Sequence, residues 1–281
     1  MERLLDPRSD LVFKRIFGEH PEILRSFLNA LLPFEGPDEE IASLEYLTPE
    51  QTPVLPLFKN TIVDVRCQDR LGRQFIVEMQ MNWTSAFLQR VLFNASKAYV
   101  RQLESGDEFH LLKPVWALSI LNAKFPGDTE DYYHHYRLVK AGAPEQVIRD
   151  LQLVFVELPR FQETRPDEAR KLRWAWLRFL REAGTSGQPG HPSTDDLVTE
   201  VAVSQEVRDA IAISRQSAFT PGELETYERF WDAVSRERTL IAGGLAEGIE
   251  IGERRGLEEA LRRLVASGMP EAEARRMLGL C

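Results

Sequence analysis

Residues 114–121, Pro-Val-Trp-Ala-Leu-Ser-Ile-Leu, form a continuous apolar run of strand length. A strand with one wet face alternates polar and apolar residues. A run without alternation suits a strand covered on both faces, as in sheets with helices on either side. The run therefore points to an α/β chain. The segments around it supply matching parts. Thr61–Cys67 is rich in β-formers and alternates, Gln68–Arg73 is a polar turn with Gly72 free for positive φ, and Gln74–Met81 is a second strand. Together these predict a β-hairpin. Residues 83–105 predict a helix with Phe87, Val91, Ala95, Ala98 and Leu103 along one face and Gly106 as its stop. Leu151–Leu158 predicts a further strand.

Upstream, residues 9–32 carry helical periodicity from Leu11 to Leu32, with Ser9 or Asp10 able to cap the start. Gly18 and Pro21 divide this stretch into two helices. Residues 35–60 are Pro- and Glu-rich connecting structure with one short strand near Ile41–Leu47. Downstream, residues 167–183 predict a helix bearing Leu172, Trp176, Phe179 and Leu180. The Gly-, Ser- and Pro-rich stretch 184–194 predicts a linker. This gives a domain over 1–183, a linker over 184–194 and a helical C-terminal region over 195–281.

A chain of 281 residues, 43% hydrophobic and 28% charged, can bury a core without disulfide support. Cys67 and Cys281 are the only cysteines, which gives no disulfide framework and fits a reducing, cytoplasmic setting. The N-terminus lacks the apolar stretch of a signal peptide, and no run of about 18 apolar residues suggests a membrane span. The net charge of −9 runs against the basic footprint of a nucleic-acid binder, so any such contact must come from a local patch.

Chemistry concentrates on the hairpin. Asp64 falls in its first strand, and Glu78 and Gln80 fall two apart in its second, where they share a face. Two carboxylates brought together across a ladder make a hard oxygen site suited to Mg²⁺ or Mn²⁺. Such a cation polarises phosphoryl oxygens and activates water. Gln80 can orient water or bond a phosphate oxygen through its amide. The same alternation also suits three polar residues on the wet face of an amphipathic hairpin, and spacing alone leaves both readings open. His134 and His135 have no partner at metal spacing, so a Zn site finds no support, and no phosphate-cradling Gly-rich loop is present.

The blocks SDLVFKRIFG, TIVDVRCQDRLGRQFIVEMQ and FLQRVLFNASKAYVRQLESGDEFHLLKPVWALSILN, in that order over roughly residues 6–160, resemble the recombination-promoting nuclease / transposase family of the PD-(D/E)XK nuclease superfamily. The resemblance implies a restriction-endonuclease-like core: a mixed β-sheet flanked by helices. It implies divalent-metal-dependent cleavage of DNA, with Asp64 and Glu78 as metal ligands and Gln80 completing the catalytic set. Gln80 stands where the superfamily signature usually has Lys, which leaves the group that stabilises developing negative charge open. Ile62–Val63 replaces the nominal Pro-Asp. A non-catalytic DNA-binding or regulatory protein on the same fold is the alternative.

Four further residues are candidates of lower rank. Asp10 adds a carboxylate from the first helix or caps it, and Lys14 reaches a phosphate or remains a solvated charge. Arg90 and Lys97, seven apart, share a helical face, and Arg90 can meet phosphate or form a structural ion pair. Tyr99 reads as core.

In the C-terminal region Gly244, Gly248, Gly252 and Gly256 recur every four residues. Within a helix each costs about 1 kcal/mol relative to Ala, so the repeat suggests either close packing with a second protomer or a flexible connector. Residues 257–280 predict helix–turn–helix, with Gly268 ending one helix and Pro270 starting the next. Its arginines, Arg262, Arg263, Arg275 and Arg276, with Arg255 just before, suit either DNA contact or a small helical tail or dimerising hairpin.

Overall fold

The computed structural model describes residues 2–48, 50–51, 61–62, 64–126, 130–162 and 170–280. Residue 63 of the expected hairpin strand, residues 167–169 of the expected helix, part of the 35–60 connection and Cys281 lie outside them. The chain divides into two compact units, Met1–Trp231 and Asp232–Cys281.

In the first unit, six strands among the described residues form one mixed sheet: β1 (Leu44–Tyr46), β4 (Val65–Asp69), β5 (Gln74–Gln80), β6 (Val115–Leu121), β8 (Ala143–Glu157) and β7 (Tyr133–Lys140), in that spatial order. A separate pair joins β2 (Glu50–Gln51) to β3 (Thr61–Ile62). The apolar run becomes β6, parallel to β5 on one side and to β8 on the other. Helices cover both of its faces. Beneath, α1 (Asp10–Phe17), α2 (Pro21–Leu31), α4 (Lys171–Glu182), α5 (Thr194–Val201) and α6 (Gln205–Ile213) pack a core with Phe75, Val77, Leu118, Ile120, Val154 and Val156. Trp176 sits at its centre with Phe17 and Phe27, ring centroids 5.7 and 5.6 Å away. Above, α3 (Phe87–Val100) lies over Ile76, Val115, Ala117, Leu121 and Phe155. Successive residues of β5 and β6 thus alternate between two buried layers, the physical reason the run shows no polar alternation.

The broken first helix follows its punctuation. Ser9 caps α1, its Oγ accepting from the Val12 N–H at 3.4 Å, so Asp10 is the first helical residue and not the cap. Gly18 ends α1 and Pro21 opens α2. The Gly-rich stretch after α4 makes a short 3-10 turn, and Ser193 caps α5. Leu197, Val201, Val207, Ala210 and Ile211 beyond it are all buried in the main core. The division between units therefore falls at 231/232, downstream of the 184–194 stretch: α5 and α6 need the core to bury their apolar faces.

Within the second unit, α7 (Pro221–Ala266) continues from the first unit through the glycine repeat as helix. Gly268 (φ 94°) then turns the chain, and α8 (Glu271–Met277) follows. No helix among the described residues is long and apolar enough to cross a membrane.

Candidate metal and phosphodiester site

The site is built where β4 begins and β5 ends. The β4–β5 ladder pairs Val65 with Val77, Cys67 with Phe75 and Arg66 with Ile76. Val65 and Cys67 join Val77 and Phe75 in the lower core, so Arg66 takes the α3 side with Ile76. Continued by one residue, this register sets Asp64 opposite Glu78, on that same side. The expected first strand is interrupted here, however. Asp64 occupies a bend ahead of β4. Its Oδ2 accepts the Met79 N–H at 2.6 Å, a bond that an unbroken ladder would give to a backbone carbonyl. The break substitutes a carboxylate for a ladder acceptor.

Glu78 is buried at the middle of the sheet, next to Ser119 of β6. Its Oε1 accepts from Asn94 Nδ2 of α3 at 2.9 Å. Asp64 Oδ1 and Glu78 Oε2 take no hydrogen bond from the described residues. Burial pushes the Asp64 carboxyl above the usual carboxylate range, and Asp10 raises it further, while the Met79 N–H, Lys14 and Arg90 pull it down. Burial likewise raises Glu78, with Asp64 adding to the rise and Asn94 and Arg90 opposing it. Two desolvated acids that repel each other, each with an oxygen to spare, are what a divalent cation neutralises. Among the described residues no three His, Cys, Asp or Glu side chains stand together at metal-holding spacing. The donor set is a carboxylate pair. A pair fits Mg²⁺, which retains waters and takes one or two carboxylates.

Gln80 is engaged at both ends of its amide. Nε2 donates to the Asn82 carbonyl at 2.5 Å, and Oε1 accepts from Arg90 Nη2. Arg90 also stacks its guanidinium 5.3 Å from the Phe87 ring centroid. The side chain two residues after Glu78 thus holds an arginine beside both acids. From α1, Asp10 and Lys14 pair at 2.7 Å, half exposed, within electrostatic reach of Asp64. Of the lower-ranked candidates, Asp10, Lys14 and Arg90 come together with Asp64. Lys97 is not among the charges that shift either acid; burial first, and then Arg101, lower its own pKa. Its ammonium lies 5.9 Å from the Phe93 ring centroid. Tyr99 packs, half-buried, against the upper core.

Asn94 escaped the sequence reading, although its position carried a signal. Phe87, Val91, Ala95 and Ala98 define the buried face of α3, and position 94 falls on it with an amide where a hydrocarbon belongs. His134 and His135 pack within the sheet. His134 Nε2 lies 2.7 Å from the fully buried Glu157, and His135 Nε2 lies 2.7 Å from Gln152 Oε1. These are packing roles where β7 pairs with β8.

A family model for the PD-(D/E)XK nuclease family transposases matches residues 7–240 of the chain. No curated protein and no solved structure matches it.

Proposed function

Because this chain belongs to the PD-(D/E)XK nuclease family of transposases, a membership that supports nuclease or transposase-like activity, we propose that it is a divalent-metal-dependent DNA endonuclease. The observation that carries the reading is the pair of Asp64, half-buried, and Glu78, buried, which repel each other and each keep an unengaged oxygen. These two side chains would hold Mg²⁺ or Mn²⁺. When bound, the cation supplies positive charge that polarises a phosphoryl oxygen and favours attack by water. The Met79 N–H fixes the Asp64 carboxylate, and Asn94 fixes that of Glu78, so neither has to reorganise as charge develops. Arg90, oriented by Gln80, supplies the fixed cation that the signature lysine would supply elsewhere in the superfamily. Gln80 is thereby a positioning residue, and Arg90 the group that meets the phosphate. Lys14 approaches from α1 and is a second candidate for phosphate contact.

The test is supercoiled plasmid with Mg²⁺, comparing the wild type with Asp64→Ala. Nicked or linear product from the wild type alone is the expected result, and equal cleavage by both proteins defeats the assignment. One observation favours the non-catalytic alternative: the absence of a third metal-holding acid among the described residues. Under that reading DNA is retained but no metal is bound.

Self-association through the C-terminal helices, in a cytoplasmic setting, accompanies this proposal. A Cβ added at Gly244, Gly248, Gly252 or Gly256 meets nothing within 4 Å in the described chain, and Leu240, Leu245 and Ile249 are exposed near them. Such a helix can admit a second copy at close range. Gly248→Leu is expected to lower the mass in solution, and an unchanged mass removes the idea.

A further inference from the structure

Ser119 is the one polar residue in the apolar run that makes β6, Val115–Leu121, and the chemistry above gives it no role. Its neighbours fix which way it faces. Val115, Ala117 and Leu121 belong to the layer beneath α3, and Leu118 and Ile120 to the core on the other face of the sheet. Ser119 therefore faces α3. The same alternation along β5, with Ile76 in the α3 layer and Val77 in the opposite core, turns Glu78 to that side. The β5–β6 ladder pairs Glu78 directly with Ser119, on strands about 4.8 Å apart. From above, Asn94 reaches the same carboxylate, its Nδ2 donating to Oε1 at 2.9 Å. Glu78 is thus flanked by a hydroxyl from β6 and an amide from α3.

Two atoms of this cluster are left over. Ser119 Oγ and Asn94 Oδ1 are both buried, and neither makes a hydrogen bond with any described residue. Ser119 is 1% exposed and Asn94 2%, so bulk solvent reaches neither. A buried hydroxyl or carbonyl oxygen left unpaired loses its hydration with nothing in return, and folded proteins satisfy nearly all such groups. One internal water answers both. It has two protons to donate, and Asn94 Oδ1 and the Glu78 carboxylate are two acceptors. It has lone pairs to offer, and the Ser119 O–H is a donor. Three polar partners are the usual complement of a buried water.

We propose that Ser119 and Asn94 hold a buried water against Glu78, and that Ser119 is through it a positioning residue for the acid that grips the ion. The carboxylate is then fixed from α3 by the Asn94 amide and from β6 by the water, and Oε2 keeps a lone pair for the cation. The water site stands on the packing alone. Its effect on the ion rests on the reading of Glu78 as a metal ligand.

The experiment compares the full-length wild type, Ser119→Ala and Ser119→Thr by urea unfolding in EDTA and by calorimetric titration of Mn²⁺. Removing a hydroxyl that bonds a water should lower the folding equilibrium constant of Ser119→Ala roughly fivefold, read as a lower urea midpoint. Removing a hydroxyl that has no partner should raise the midpoint instead. Ser119→Ala should also bind Mn²⁺ roughly tenfold more weakly, and Ser119→Thr, which keeps the hydroxyl, should stay within about twofold of the wild type. An unchanged or raised midpoint in Ser119→Ala would overturn the water. A lowered midpoint with wild-type Mn²⁺ affinity, or Ser119→Thr binding as weakly as Ser119→Ala, would overturn the positioning role. A wild type that binds no Mn²⁺ defeats the metal reading, and the urea midpoints then decide the water by themselves.

Discussion

Replacing Glu78 by Gln should make the metal-free protein more stable. The substitution keeps the shape of the side chain and an oxygen for Asn94 Nδ2, while removing one of two facing charges. Asp64 stands one residue before the Val65–Val77 pair and holds the Met79 N–H next to Glu78, which sets the two acids close to a cross-strand pair. Such pairs have Cβ atoms about 5 Å apart, and charges roughly 6 Å apart repel by about 3 kcal/mol at an effective dielectric near 20. Arg90, which draws both carboxylates down, offsets part of that repulsion. A net gain of about 1–2 kcal/mol remains, or a rise in Tm of about 3–6 °C for a unit of this size. Thermal unfolding in EDTA followed by circular dichroism measures it directly. Saturating Mg²⁺ should then raise the wild type, by about 2.7 kcal/mol at a hundredfold excess over Kd, and leave Glu78→Gln where it was. A Tm in EDTA that falls, or does not move, would refute the claim that these two acids strain against each other.

Asn94→Ala removes the donor that fixes Glu78, and should weaken Mn²⁺ binding roughly 10- to 100-fold in a calorimetric titration while leaving the fold intact. Gly184→Ala should destabilise the first unit by about 1–3 kcal/mol in urea unfolding. Its Cβ would stand 2.4 Å from the side chain of Asp6, which Arg8 Nη2 pins at 2.6 Å and whose N–H bonds Tyr227. Burial pushes the Cys67 thiol up to about 12, from an ordinary 9.0. The native state then keeps a proton that the unfolded chain releases, so this contribution is complete below about pH 9 and is lost as pH rises towards 12. Cys67→Val should flatten the first part of that alkaline decline, as read from urea midpoints at about pH 8 and pH 10.

Much of the fold was legible because both layers of the core leave marks in the sequence. The unalternating β6, the Gly18/Pro21 break between α1 and α2, and the hairpin around Gly72 (φ 78°) are each dictated by local chemistry. The missed elements depend on partners instead. Strand β7, Tyr133–Lys140, is a polar edge strand, and β8 extends back to Ala143 through exposed residues that pair with β7 alone. The outer half of β7 and the early part of β8 have no inward face to impose a pattern; the turn at Gly142 (φ 81°) was the available cue. The site divides in the same way. Asp64, Glu78 and Gln80 announced themselves as polar residues near or within an apolar strand. The bend at Asp64, the Met79 N–H it captures, and the coupling of Gln80 to Arg90 arise from three-dimensional register and could not be read from spacing. Lys97 shares its helical face with Arg90, yet only Arg90 is among the charges that pull the two acids down.

The most direct measurement is a calorimetric titration of Mn²⁺ into the wild type, Asp64→Asn and Glu78→Gln. A single saturable site in the wild type that disappears in both variants is the expected outcome, since one cation needs both carboxylates. Equal heats and affinities in all three proteins would mean that the two acids do not share an ion, and would remove the basis for hydrolysis at this site.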